Sequence, residues 1–231
     1  MYPYYFDSTY FLILIGMMLV MYAQWKVKST FAKYSEFPTQ RNISGREAAE
    51  YILQANNIHD VKVEGIQGAL TDHYDPRSKV LRLSEATYNQ TSVAAVAVAA
   101  HECGHAVQHA TNYGFLKLRS ALVPISQFGS SIGMPLIFAG FIFQIAGLIQ
   151  LGIIALSAAL LFQIVTLPVE FDASKRAINS LQQYQVFNSE ELLAAKRVLN
   201  AAAFTYLAGT ISTALQIFRL ILISNRYSNR D

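Results

Sequence analysis

The chain has 231 residues, of which 53% are hydrophobic and 14% charged, against about a quarter charged in a typical soluble domain. That shortage of charge is membrane-like, and the net charge of +3 comes from basic residues too scattered to form a nucleic-acid-binding stripe. The single cysteine, Cys103, excludes an intramolecular disulfide and fits a reducing compartment.

Residues 8–25 (STYFLILIGMMLVMYAQW) carry no charge and are long enough to cross a hydrocarbon core of about 30 Å. Aromatic residues crowd both ends, as at membrane interfaces. No basic segment precedes the run and no small-x-small site follows it, so it reads as a signal anchor and not a cleaved signal peptide. Lys26, Lys28 and Lys33 follow, whereas the segment before it holds Asp7 and no cation. The positive-inside rule then puts the N-terminus outside and Lys26 onward in the cytoplasm.

Residues 37–118 read as a small catalytic domain of mixed helix and strand. Ser44-Gly45-Arg46-Glu47 fits a capping box, with Ala48, Ala49, Ile52 and Leu53 on the apolar face of the helix it opens. Residues 60–65 (DVKVEG) and 79–83 (KVLRL) alternate like strands, and 68–78 (GALTDHYDPRS) is turn-rich. Thr91 or Ser92 then caps a helix over 92–110 that begins VAAVAVAA and leads into HECGHAVQH, residues 101–109.

From residue 121 to residue 169 there is no Asp, Glu, Lys, Arg or His. As one helix these 49 residues would reach roughly 70 Å, more than twice the apolar thickness of a bilayer. Two spans are therefore expected, 121–146 and 151–168, turning near Gly147–Gly152 with Gln150 at the tip. Lys117 and Arg119 flank one end and Lys175 and Arg176 the other, which sets both ends in the cytoplasm. Residues 169–197 follow as a separate region, with a helix expected to start after Pro168. A fourth span is expected at 198–223; a partly buried interfacial helix is the competing reading.

The chemistry centres on His101-Glu102-Cys103-Gly104-His105, an H-E-x-x-H pattern. Residues four apart share one helix face, so both imidazoles can converge on one metal while Glu102 reaches a water beside it. A solvated helix face is the plain alternative, but a histidine pair and a glutamate ending an apolar helix are costly to bury unless paired or metal-bound. Zinc suits such a set: three protein ligands and a water held near neutral pKa. Glu102 would take the water's proton and return it to the leaving amine.

His109, eight residues from His101, lies about 12 Å along the axis and reads as a cation near the helix C-terminus. Glu170 is the better third ligand. HECGH lies just before the hairpin and Glu170 just after it, and two spans return the chain to the side it left. Asp172 is the alternative.

The order H-E-x-x-H, hydrophobic hairpin, E-x-x-A resembles the bacterial YugP-like neutral zinc metallopeptidases, membrane gluzincins distantly similar to HtpX-type proteases. The likeness covers nearly the whole chain and includes LTDHYDP (70–76) and LRLS (81–84). It implies a mainly α membrane protein of about four transmembrane helices, with a small α+β metalloprotease domain on the cytoplasmic side. It implies one zinc per chain on His101, His105 and Glu170, and Glu102 as catalytic base. HtpX-type chains carry an aspartate four residues after the third ligand; this chain has Ser174.

In gluzincins an edge strand before the motif helix pairs with extended substrate, and 79–83 is placed to be that strand or an ordinary sheet strand. Arg82 on it, His73 in the turn and Tyr206 are candidate substrate contacts, with surface or packing roles as their alternatives. Cys103 points off the ligand face and reads as a packing residue, with redox control of the metal as its other reading.

The expected activity is membrane-bound zinc endopeptidase, acting on membrane-associated polypeptide in the plasma membrane, with membrane-protein quality control as the expected setting. A site-2-type intramembrane protease and a non-proteolytic metal-binding scaffold are the competing functions. The bilayer and a polypeptide are the expected partners, nucleic acid is not, and the oligomeric state stays open.

Overall fold

A computed structural model describes residues 8–228; the N-terminal Asp7 lies outside them. The elements run α1 (Tyr10–Ser35), α2 (Gly45–Ala55), β1 (Lys62–Ile66), β2 (His73–Asp75), β3 (Val80–Ser84), α3 (Val93–Ala110), α4 (Gly114–Phe143), α5 (Ala146–Gln183) and α6 (Ser189–Ser228). The protein is mainly helical. Four helices, α1, α4, α5 and α6, are long and apolar enough to cross a membrane.

The chain forms two compact units. One holds, among the described residues, those up to Ala23, Leu118–Leu167 and those from Thr205 onward. Within it α4 and α5 form an antiparallel hairpin whose axes approach closely because glycines face the partner helix. A Cβ on Gly129 would collide with the Ala155 carbonyl, and one on Gly152 would lie 2.5 Å from Ile137 Cγ1 and 2.6 Å from Gly133 O. Small residues at such a seam let helices pack where lipid gives no hydrophobic drive. Gly16 of α1 meets Ser212 of α6 in the same way.

The hairpin turns at Gln144 and Ile145, ahead of the expected 147–152. Gln144 takes φ 58° and the Ile145 N–H reaches Gly140 O at 2.9 Å, a Schellman closure. The glycines that suggested a turn lie inside α5, and Gly152 packs against α4 instead. Helix α5 also continues through Pro168, where a new helix had been expected to start. The proline removes one backbone hydrogen bond, and the rest of the ladder carries the helix across. Residues 169–183 thus extend α5, and α6 begins at Ser189. Asn188 opens it as a capping residue: its Oδ1 accepts from Glu191 N at 2.9 Å, and Glu191 Oε2 accepts from Asn188 N at 2.8 Å.

The other unit holds Gln24–Lys117 and Pro168–Phe204. Its core gathers Ile52 and Leu53 of α2, Leu81 and Leu83 of β3, the alanine-rich face of α3, and Leu181, Val186, Val198 and Leu199. Ala94, Ala95, Ala97, Ala99 and Ala100 are fully buried, so α3 is the central helix and its small side chains allow neighbours to come close. Ser92 caps it, accepting from Ala95 N at 3.2 Å, and a cap of this kind contributes about 1 kcal/mol. The capping box at Ser44 and Glu47 forms as the sequence indicates.

The sheet has the order β1-β3-β2, with β3 parallel to β1 and antiparallel to β2. The expected substrate-pairing strand, β3, is therefore the central one, and both its edges are taken. The short β2 went unread in the sequence because three residues between turn formers show no alternation. Asp72 accepts from Ser84 N at 2.8 Å and Ser84 Oγ at 2.9 Å, and Asp75 accepts from Arg77 N at 2.9 Å and Ser78 Oγ at 2.6 Å. The two aspartates of LTDHYDP thus fasten the ends of the strand.

Candidate metal centre

Helix α3 brings His101 and His105 onto one face, one turn apart. Their rings meet edge to face with centroids 4.8 Å apart and an interplanar angle of 87°. Both are largely covered, with 15% and 13% of their side chains exposed. The second part of α5 supplies Glu170, only 3% exposed. Its Oε2 lies 3.3 Å from His101 Nε2 and 3.6 Å from His105 Nε2. One ligand atom from each of the three falls within 4.8 Å of the others, close enough to hold one metal ion.

The approach of the two helices depends on Gly104. A Cβ there would run into the Ala173 carbonyl and lie 3.1 Å from Ala173 Cα. The glycine between the histidines therefore lets α3 touch the α5 backbone, three residues beyond Glu170.

Both imidazoles turn their Nδ1 atoms away from Glu170 and toward fixed polar groups. His101 Nδ1 is 3.1 Å from Ser174 Oγ. His105 Nδ1 is 3.0 Å from Gln108 Oε1. The Gln108 Nε2 donates to Val169 O and to Asp172 Oδ2, each at 2.8 Å, and Arg176 Nε donates to Asp172 Oδ2 at 2.6 Å. The arrangement leaves both Nε2 atoms facing Glu170.

The set fits a divalent metal of zinc's type on three grounds. It offers two imidazole nitrogens and one carboxylate oxygen. Glu170 Oε2 is buried and accepts no hydrogen bond, a costly state for a carboxylate unless a cation meets it. The histidine nitrogens away from it are already engaged, as outer groups engage metal-bound histidines. Without a metal, burial works against a charged His105, yet the Glu170 carboxylate, with Glu102 behind it, holds its pKa above the ordinary imidazole value.

The remaining candidates fall elsewhere. Glu102 is buried at 8% exposure, next to His101. Asp172 faces Gln108 and Arg176, so it stands outside the trio that can hold a metal. His109 stands outside it too: its Nδ1 lies 2.8 Å from Tyr74 Oη, tying β2 to the end of α3. Burial, with Asp60 and Asp75, pushes the Tyr74 phenol up to about 12.

His73 and Arg82 are register partners across β2 and β3, with His73 Nε2 3.5 Å from Arg82 Nη1. Arg82 also pairs with Asp75 at 3.6 Å and Glu64 at 3.9 Å. Tyr206 lies on α6 in the other unit and is 42% exposed. Cys103 is fully buried, its Sγ 3.6 Å from Ala49 O.

Sequence reasoning passed over Gln108 and the seam role of Gly104. For Gln108 a signal existed: three residues after His105 on a helix is the same face. For Gly104 only the close approach of α5 reveals the need.

The family described as "Putative neutral zinc metallopeptidase" matches residues 9–225. The chain is 42% identical over 213 residues to "Putative membrane protease YugP" of Bacillus subtilis (strain 168), covering 92% of this chain and 95% of that one. No solved structure matches the chain significantly.

Proposed function

The chain belongs to the family described as "Putative neutral zinc metallopeptidase", and we propose that it is a membrane-bound zinc endopeptidase of the gluzincin type. The observation that carries the proposal is the buried Glu170 Oε2, set 3.3 and 3.6 Å from two histidine Nε2 atoms and without a hydrogen bond.

In this reading His101, His105 and Glu170 hold one zinc per chain. Zinc bound there would supply a Lewis acid and a water whose pKa is lowered toward 7. Glu102 takes a proton on its carboxylate and passes it to the leaving amine. Burial of Glu102 and Glu170 keeps bulk water from weakening these charges. Ser174 and Gln108 hold the two imidazoles in place. The substrate is polypeptide that is membrane-associated, and clearance of damaged membrane proteins is the proposed role. Arg82 and His73, paired across the sheet, and Tyr206 are the proposed substrate contacts.

The plasma membrane is the proposed location, and the cations support a cytoplasmic site with the N-terminus outside. Lys26, Lys28 and Lys33 follow the first apolar run, and Lys117, Arg119, Lys175 and Arg176 flank the hairpin. A site-2-type arrangement would set the motif helix within the bilayer; α3 is not among the helices long and apolar enough to cross.

Elemental analysis of detergent-purified protein tests the proposal. About one zinc per chain is expected in wild type and in Asp172→Ala, and none in Glu170→Ala. A wild type that stays metal-free after zinc loading would remove the enzyme reading and leave the scaffold.

A further inference from the structure

Gln108 is fully buried and sits one turn beyond His105. A carboxamide carries two N–H donors and one acceptor oxygen. Both donors of Gln108 are in use, to Val169 O at 2.8 Å and to Asp172 Oδ2 at 2.8 Å. A backbone carbonyl can only accept, and so can a carboxylate paired with Arg176. The amide therefore has one orientation, because turning it round would set its oxygen against two acceptors. Such an assignment is ordinarily ambiguous for glutamine, and here its partners decide it. The Gln108 oxygen then faces His105 Nδ1 at 3.0 Å and must accept from it. His105 therefore carries a proton on Nδ1, and its Nε2 faces the Glu170 side.

His101 differs. Its Nδ1 meets the Ser174 hydroxyl at 3.1 Å, and a hydroxyl can donate or accept. Ser174 tolerates either tautomer; Gln108 tolerates one.

We infer that Gln108 is a positioning residue: its carboxamide, locked between Val169 and Asp172, fixes the His105 tautomer and presents Nε2 toward the metal. The consequence for metal binding rests on the zinc reading above. The Nδ1–H contact to Gln108 itself does not, since the metal-free protein makes it.

The test is nitrogen-15 NMR of the histidine rings in the metal-free full chain in detergent, at a pH where the rings carry a single proton, joined to zinc affinity by chelator competition. Wild type should show His105 protonated on Nδ1. Gln108→Met should release it to a mixture of tautomers and weaken zinc about 10- to 100-fold. Ser174→Ala should leave the His105 tautomer unchanged. A glutamine that only supported packing would lower thermal stability and leave the tautomer alone. A singly protonated His105 that carries its proton on Nε2 and not on Nδ1 in metal-free wild type would overturn the inference, and this arm needs no variant to fold. An unchanged tautomer and zinc affinity in Gln108→Met would overturn it as well. Should wild type bind no zinc while His105 behaves as described, the zinc reading falls and the role of Gln108 stands.

Discussion

Gly104 and Ala173 meet backbone to backbone: a Cβ on Gly104 would lie 3.0 Å from the Ala173 carbonyl carbon and 3.1 Å from its Cα, with the carbonyl oxygen closer still. The glycine inside the H-E-x-x-H pattern is thus a seam between α3 and α5. It sets how far Glu170 stands from the two histidines, because Glu170 and Ala173 share one turn of α5. Gly104→Ala must push the helices apart. Overpacking of this kind costs about 1–3 kcal/mol, and here it should also weaken zinc binding. Gly114→Ala, where nothing lies within 4 Å, should leave both unchanged. Thermal unfolding and zinc competition on the two variants decide it; full zinc affinity in Gly104→Ala would show that the seam does not set the site.

Glu102 separates the enzyme from the scaffold. It is buried beside His101 and outside the metal-holding trio. Glu102→Gln keeps the shape and loses the base. Zinc content should stay at about one per chain, while cleavage of an unfolded polypeptide in detergent falls by about 10²- to 10⁴-fold. Undiminished cleavage would remove Glu102 from the mechanism.

Cys103 offers a test of redox control. Burial, reinforced by Glu102, raises its thiol pKa well above the ordinary cysteine range, and a thiol kept neutral is a poor nucleophile. As the only cysteine, it can be followed without background. A maleimide should fail to label native protein and label it fully once denatured. Rapid labelling of the native form together with release of zinc would instead make Cys103 a redox handle on the site.

The grouping of His101, His105 and Glu170 was legible in the sequence because the helix period sets the spacing of His101 and His105 and a hairpin of two apolar helices carries the chain from them to Glu170. What escaped depended on contacts between distant segments. The three residues of β2 show no alternation, and only pairing with β3, fastened by Asp72 to Ser84, makes them a strand. The central place of β3 follows from β1 pairing with it in parallel, which no local pattern announces. Ser174 read as a departure from the HtpX-type pattern, yet its hydroxyl faces His101 Nδ1, the kind of contact by which outer groups orient metal-bound histidines.

Glycine gave the misleading signal. Gly147 and Gly152 suggested a hairpin turn, and the turn falls on Gln144 with φ 58° instead. The two glycines should therefore respond differently to substitution. A Cβ on Gly147 would meet nothing within 4 Å, while one on Gly152 would strike Ile137 and Gly133. Replacing Gly147 by alanine should be neutral or stabilise by up to about 1 kcal/mol, since alanine is the better helix former. Gly152→Ala should destabilise by about 1–3 kcal/mol, because α4 has no room to give. Thermal unfolding in detergent compares them directly. A turn at 147–152 predicts the reverse order, with Gly147 the sensitive position, so the ranking of the two variants alone separates a turn glycine from a seam glycine.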